Sequence, residues 1–348
     1  MSPNLYDISW KVDEPLYRAD KALSYSTLAR FAREGFAKLD RLFESIDTPS
    51  LTFGSAVDAL LTGGQEEFDA NFMVAEFPTI SDNLQTIAKT LFSRYSSEYR
   101  NITDIDDETL AEIGKECDFW ANDKYKNHRV KLIKEGCQEY YNLMYAAGSK
   151  KVLSTKTRDE VVAAVKTLKE DLATKFYFAK DNPFDGIQRF YQLKFKATLE
   201  EVDYRCMADL IVVDHKKKTI QPVDLKTSAH NEWNFFESFI QWGYQIQARL
   251  YWRIIVDNVR RHKEFDGYTV LPYKFIVINR YSLTPLVWDF EDTSSYGTLY
   301  YGLNSQIVCR DPFDLGKELH YYLTVHPNVP KGITVLGSNS LTHWLCTL

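Results

Sequence analysis

Asp209, Asp224 and Lys226 are three charged residues set into apolar sequence, where charge is expensive to bury. They interrupt the runs MADLIVVD (207–214) and PVDLKT (222–227), which otherwise read as buried strands. Side chains alternate along a strand, so Asp224 and Lys226 share one face and Leu225 points to the other. A hairpin joining the two runs can bring Asp209 beside Asp224. Burying a carboxylate without a partner is unfavourable, and acids gathered around a cation resolve the difficulty. Two carboxylates supply the hard oxygen ligands that Mg2+ and Mn2+ take, and the backbone carbonyl of Leu225 offers a further one. A bound divalent ion lowers the pKa of a coordinated water and neutralises charge on a phosphate. An ammonium two residues on, at Lys226, can stabilise the pentavalent transition state electrostatically. The chemistry suited to this set is hydrolysis of a phosphodiester. On an exposed strand edge the same D-x-K pattern would be an ordinary ion pair, and it is the apolar flanks that argue against that reading. Two facing carboxylates also repel, so Asp224→Asn is expected to stabilise the fold when no metal is present.

A second pair lies downstream. Gln247 and Tyr251 are four residues apart on a long amphipathic stretch from about Glu232 to Val256, so both project from one helix face, together with Gly243 and Tyr244. An amide and a phenol one turn apart can hydrogen-bond a phosphate, a base edge or a metal-bound water. The plainer alternative is a tyrosine packed on a sheet with a glutamine at the helix boundary.

The elements that must position these residues follow from periodicity. Strands are predicted over 189–199, 203–214 and 220–227, then the long helix, then strands over 268–280 and 284–292. A helix near 294–308 and an irregular C-terminal stretch complete the pattern. Ahead of the strands the chain is mainly helical. Ser24 or Ser26 can cap a helix through TLARFAREGFAKLDRLF (27–43), and 51–64 has an apolar stripe of Phe53, Ala56, Val57, Leu60 and Leu61, with Gly63 and Gly64 as the stop. Further helices are predicted at about 84–100, 106–147 and 155–175. Strand–strand–strand–helix–strand implies an α/β (α+β) fold, a mixed sheet flanked by helices with a large helical N-terminal extension. The expected division is a helical region 1–180 wrapped on the core, a core over 181–310, and an irregular segment 311–348.

Composition narrows the classes. At 45% hydrophobic and 26% charged, with 22 Tyr and 21 Phe, the 348 residues can bury a substantial core and do not read as disordered. No run approaches the roughly 18 apolar residues of a membrane span, and the N-terminus lacks the basic start and apolar run of a secretory signal, so a cytoplasmic location is expected. The five cysteines are scattered, without a C-x-x-C pair, which disfavours a disulfide framework or a zinc centre. A net charge of −6 does not advertise nucleic-acid binding, though an enzyme can confine positive potential to one groove. No phosphate-cradling glycine loop is present, so neither ATP dependence nor a fused helicase motor is expected.

Taken in order, these motifs resemble the PD-(D/E)XK nucleases, in the branch of the RecB nuclease domain, lambda exonuclease and RecE-type exonucleases. The matching residues are Leu23-Ser-Tyr-Ser26 at a helix start, Gly54-Ser-Ala-Val-Asp58 on a helix, Ala208-Asp209 on a strand, Val223-Asp224-Leu-Lys226-Thr227 on the next, and Gln247-x-x-x-Tyr251 on the last helix. The resemblance spans about residues 20–290. It implies a restriction-endonuclease-like core, catalytic roles for Asp209, Asp224, Lys226, Gln247 and Tyr251, and a metal site formed by Asp58, Asp209, Asp224 and the Leu225 carbonyl. RecE- and RecB-type relatives usually carry His where this chain has Asp58, and a carboxylate ligates Mg2+ at least as readily. The activity implied is a Mg2+-dependent (Mn2+-tolerant) DNA exonuclease on ends of linear duplex, serving recombination or repair. The partners implied are DNA, a single-strand annealing protein and further copies of the chain in a ring, with no membrane. Two alternatives stay open at this point: a structure-specific or single-strand endonuclease of the same fold, and a catalytically inactive DNA-binding module.

Overall fold

A computed structural model describes residues 2–44, 48–231, 234–291, 297–301 and 305–324. The chain forms two compact units, Met1–Gly54 with Ala163–Leu348, and Ser55–Val162. The bounds of these units do not coincide with the expected division at residue 180. The helical N-terminal region is not one body, because its first 54 residues share the compact unit of the strands.

The first unit opens with α1 (Leu5–Ile8), α2 (Glu14–Ala19) and α3 (Tyr25–Glu34), the last with Ser24 at its N-cap. The boundary between units falls within α4 (Pro49–Thr62), between Gly54 and Ser55.

The second unit continues through α5 (Gly64–Asn71), β1 (Phe72–Val74), α6 (Asp82–Tyr95), α7 (Asp107–Glu116), α8 (Lys126–Gly136), α9 (Gln138–Ala147), β2 (Lys151–Leu153) and the first half of α10 (Thr155–Glu170). Ile87, Leu91, Leu110, Ile133 and Tyr141 are fully enclosed at its centre. The single helix expected over 106–147 is three. Its first interruption, between Glu116 and Lys126, contains Asp118 and Trp120 at positive φ, and the buried Arg129 guanidinium donates to the Trp120 carbonyl. The strands β1 and β2 pair in parallel and were not foreseen, each being too short to show a period.

In the first unit β3 (Ile187–Leu199), β4 (Val202–Asp214), β5 (Thr219–Ser228), β6 (Thr269–Val270), β7 (Tyr273–Asn279) and β8 (Pro285–Phe290) form one mixed sheet of order β3-β4-β5-β7-β8, with β6 beside β5. The first three strands are antiparallel, while β5 and β7 run parallel. Parallel neighbours need a crossover, here made by α11 (Phe235–Trp242) and α12 (Tyr244–Arg260). The long helix expected from 232 to 256 is thus broken. Gly243 takes left-handed angles (φ 67°, ψ 41°), which glycine adopts at little steric cost, and α12 starts afresh at Tyr244. The core lies where α12 packs on β3, β4, β7 and α3, with α13 (Pro312–Thr324) against α3, α12 and β4.

Two expectations near the C-terminus are corrected. Instead of a helix over 294–308, β9 (Gly297–Tyr301) and β10 (Ser305–Cys309) pair antiparallel, in keeping with their β-branched and aromatic content. Residues 312–324, expected to be irregular, form the helix α13, started by Asp311, whose carboxylate accepts the N–H groups of Phe313 and Asp314. Residues 325–348 lie outside those described.

One discontinuity interrupts the sheet. The register of β3 on β4 is continuous from Ile187↔Asp214 to Leu199↔Val202 except at one step, where Gln192 and Asp209 leave the ladder. Gln192 has φ 53°, in the left-handed region. On β4 the residues in the main core are Val202, Tyr204, Cys206 and Ala208 before this step, and Ile211 and Val213 after it. The core-facing positions therefore change from even to odd at Asp209.

Candidate active site

Asp209 occupies a place where both neighbouring ladders open. Its pairing with β3 is skipped, and the β4–β5 ladder ends at Leu210↔Val223, one step before Asp209 would face Asp224. Along its other edge, β5 pairs with β7 from Val223 onward. In the gap, the Leu225 backbone N–H donates to Asp209 Oδ2 at 2.9 Å. A side-chain carboxylate thus takes the place of a strand carbonyl, which orients Asp209 toward β5.

Asp224 is 1% exposed. Its two oxygens have different partners: Gln247 Nε2 donates to Oδ1 at 2.5 Å, and Lys226 Nζ lies 2.6 Å from Oδ2. The Lys226 contact is an ion pair and not a well-directed hydrogen bond, because Oδ2 has no hydrogen-bond partner of good geometry. Asp224 and Lys226 share one sheet face, as alternation requires, and α12 delivers Gln247 to that face from above.

Burial is the largest single influence on Lys226 and lowers its pKa, but Asp224, Tyr244, Asp209 and Tyr25 together outweigh it and hold the amine well above its ordinary value. Lys226 is therefore an ammonium in this state. Its Nζ also lies 4.8 Å from the centroid of the Tyr244 ring.

Around the charged group stands a set of phenols. Tyr25 from α3 packs edge-on to Tyr251 and tilted against Tyr244, and its hydroxyl donates to the Trp242 carbonyl at 2.8 Å. Tyr251 meets Tyr273 of β7 at 6.4 Å. Burial is the largest cause raising the pKa of each of these four tyrosines, and the Asp224 carboxylate adds to it. All four stay protonated across the physiological range, so none is a base. Tyr25 and Tyr273 were missed by the sequence reading. The signal for Tyr25 was its place directly after the cap Ser24 in a motif noted only as a helix start. Tyr273 gave no signal beyond a strand aromatic.

Five residues of the expected set, Asp209, Asp224, Leu225, Lys226 and Gln247, are thus in direct contact, with Tyr251 lining the same site. Tyr251 is 7% exposed and belongs to the core as much as to the site. Asp58 is half-buried on the part of α4 that belongs to the second unit. The other end of that helix touches the site's strand: a Cβ added to Gly54 would lie 3.1 Å from Thr227 Oγ1, so α4 approaches β5 closely.

The donor set fits a hard divalent cation. Two carboxylates are oriented from adjacent strands, and Asp224 Oδ2 and Gln247 Oε1 are buried oxygens without a hydrogen bond. Both oxygens gain from a nearby ion or its water shell. Among the described residues no three His, Cys, Asp or Glu side chains gather as a metal cluster. That is compatible with Mg2+, which keeps several waters and is commonly held by one or two carboxylates. Among the described residues no helix is long and apolar enough to cross a membrane.

No protein-family model matches this sequence, and no curated protein matches it. Among solved structures, the chain is similar to a "putative exonuclease" from Eubacterium rectale, at 13% sequence identity and a TM-score of 0.40, with 91% of this chain and 84% of that chain covered.

Proposed function

We propose that the protein is a divalent-metal-dependent DNA nuclease, acting as an exonuclease on the ends of linear duplex DNA. The observation that carries this reading is the convergence of Asp209, Asp224, Lys226 and Gln247 at the one step where the ladders on both sides of Asp209 open. A binding module has no need for a buried carboxylate and an ammonium held 2.6 Å apart, whereas phosphodiester hydrolysis uses both.

Asp209, Asp224 and the Leu225 carbonyl would hold Mg2+ or Mn2+. The ion, when bound, supplies an acidified water and neutralises phosphate charge. Lys226 places its positive charge where negative charge grows on the phosphate. Gln247, by donating to Asp224 Oδ1, fixes the rotation of that carboxylate and leaves Oδ2 for the reacting side. The buried, neutral phenol of Tyr251 packs with Tyr25 and Tyr273 and adds apolar ring surface beside the carboxylates. Restriction to duplex ends, a single-strand annealing partner and a ring of several copies come from the resemblance to RecE- and lambda-type exonucleases.

Incubation of end-labelled linear duplex beside a covalently closed circle, with Mg2+, Mn2+ or EDTA, tests the reading. Loss of linear DNA with an intact circle, abolished by EDTA, is expected. Cutting of the circle would make the enzyme an endonuclease, and no cutting of either DNA would end the duplex-exonuclease reading.

A further inference from the structure

Among the groups that act on Lys226 are two of different kinds, the Asp224 carboxylate and the face of the Tyr244 ring. We propose that the Tyr244 ring is a second seat for the Lys226 ammonium, which keeps the lysine in the site once Asp224 is engaged by a divalent cation. The proposal rests on the nuclease reading only in taking Asp224 as an ion ligand.

An incoming cation and the ammonium compete for one carboxylate. A cation drawn to Asp224 takes electron density from the same oxygen that pairs with Lys226 and also repels the ammonium. The other oxygen, Oδ1, is already occupied by Gln247. An ammonium released in this way would ordinarily turn to water, since lysine has a long flexible stem and a strongly hydrated head. The ring face of Tyr244 offers an attraction that does not depend on a negative charge and is not quenched by the ion.

The seat is rigid. Tyr244 is stacked at 6.0 Å on both Phe235 and Phe275 and meets Phe239 nearly edge-on at 6.2 Å. The left-handed turn at Gly243 makes Tyr244 the first residue of α12, so its position is set by the helix start. Tyr25 closes the side at 6.3 Å, held by its bond to the Trp242 carbonyl. Tyr244 is thus a positioning residue that acts through Lys226.

The test uses the full chain with 13C-labelled lysine, the Lys226 side-chain signal being the one missing in Lys226→Arg. In metal-free protein this signal is expected upfield, shifted by the ring current of Tyr244. On addition of Mg2+ without DNA it is expected to stay upfield, while the Leu225 amide signal moves as the ion binds. Return of the Lys226 signal to the position of a free lysine would overturn the proposal, whether or not the protein cuts DNA. So would a Leu225 amide that ignores Mg2+, since this N–H is bonded to Asp209 and adjoins Asp224, and the pair of carboxylates would then hold no ion. In cleavage assays Tyr244→Leu is expected to lose about tenfold in kcat with little change in KM, and Tyr244→Phe to stay within about twofold of wild type. An equal kcat for Leu and Phe variants of matching melting temperature would also overturn it. An upfield, Mg2+-insensitive Lys226 signal with a responsive Leu225 amide, in a protein that cuts no DNA, would retain the seat and remove the nuclease reading.

Discussion

Asp209 Oδ2 accepts the backbone N–H of Leu225 at the step where the β4–β5 ladder has ended. The acid therefore closes a gap in the sheet while carrying a charge beside Asp224 and Lys226. Asp209→Asn keeps the bond if the amide oxygen turns to Leu225, and removes the charge. Its fold should persist, with cleavage reduced by orders of magnitude. An Asp209→Asn protein that cuts at the wild-type rate would exclude Asp209 as an ion ligand.

Asp224→Asn reverses an expectation drawn from the sequence. Two facing carboxylates suggested that its metal-free fold would become more stable. The structure instead gives Asp224 an ammonium 2.6 Å away, so the substitution leaves Lys226 half-buried without its counter-ion. Thermal or urea denaturation in EDTA should show a loss of about 1–3 kcal/mol. Activity should vanish in the same variant. A gain in stability would mean that repulsion from Asp209 outweighs the ion pair.

Gln247→Ala removes the donor to Asp224 Oδ1 and frees the carboxylate to rotate. A drop in kcat/KM equivalent to about 1–3 kcal/mol is expected, since the lost bond is to a charged group. Gln247→Glu should be worse, because it sets a second carboxylate against a buried one. Equal activity of the Ala and Glu variants would show that the amide has no part in holding Asp224.

Gly54 and Thr227 make a compensating pair. A methyl group at 54 meets Thr227 Oγ1 at 3.1 Å, next to Lys226 on β5. Gly54→Ala should lower cleavage, and Thr227→Ala in the same chain should restore much of it by making room. Failure of the double variant to recover would place the defect elsewhere on α4.

His215 gives a pH dependence. Its ring lies 2.8 Å from both Tyr268 Oη and Gln188 Oε1, a neutral imidazole donating to Gln188 and accepting from tyrosine. Burial lowers its pKa, and Asp214 only partly opposes this. A base whose folded pKa is depressed favours the neutral form, so its contribution is present above the unfolded value of about 6.5 and is lost as pH falls through the folded value. Melting temperatures from pH 7.5 to 5 should fall more for wild type than for His215→Gln. Parallel curves would remove His215 from the account.

Much of the sheet was legible because strands with one face on a core keep a period of two, and the charged residues stood out against it. What stayed hidden was set by contacts between distant segments. Gly243 looked like a tolerated glycine inside an amphipathic pattern, yet it divides α11 from α12 and places Tyr244 against Lys226. Gln192 has no composition that announces a left-handed residue in a strand. The stretch over 294–308 shows how a short aromatic-rich segment reads as either state until its partner is known. That Asp224 and Lys226 share a face followed from alternation, but the bond from Gln247 to Asp224 did not, because it joins a helix to a strand 23 residues away.

The exchange of even for odd positions at Asp209 means that this acid is tied to a dislocation in the pleat and not to a distance along the strand. A carboxylate moved two residues either way, to 207 or 211, would meet an intact ladder and lose its opening toward Leu225. Grafting the site onto another sheet would therefore require two residues on separate strands, the acid and a left-handed partner opposite it. A single-residue deletion at 192 would disturb the chemistry as surely as one at 209, though residue 192 bears no charge.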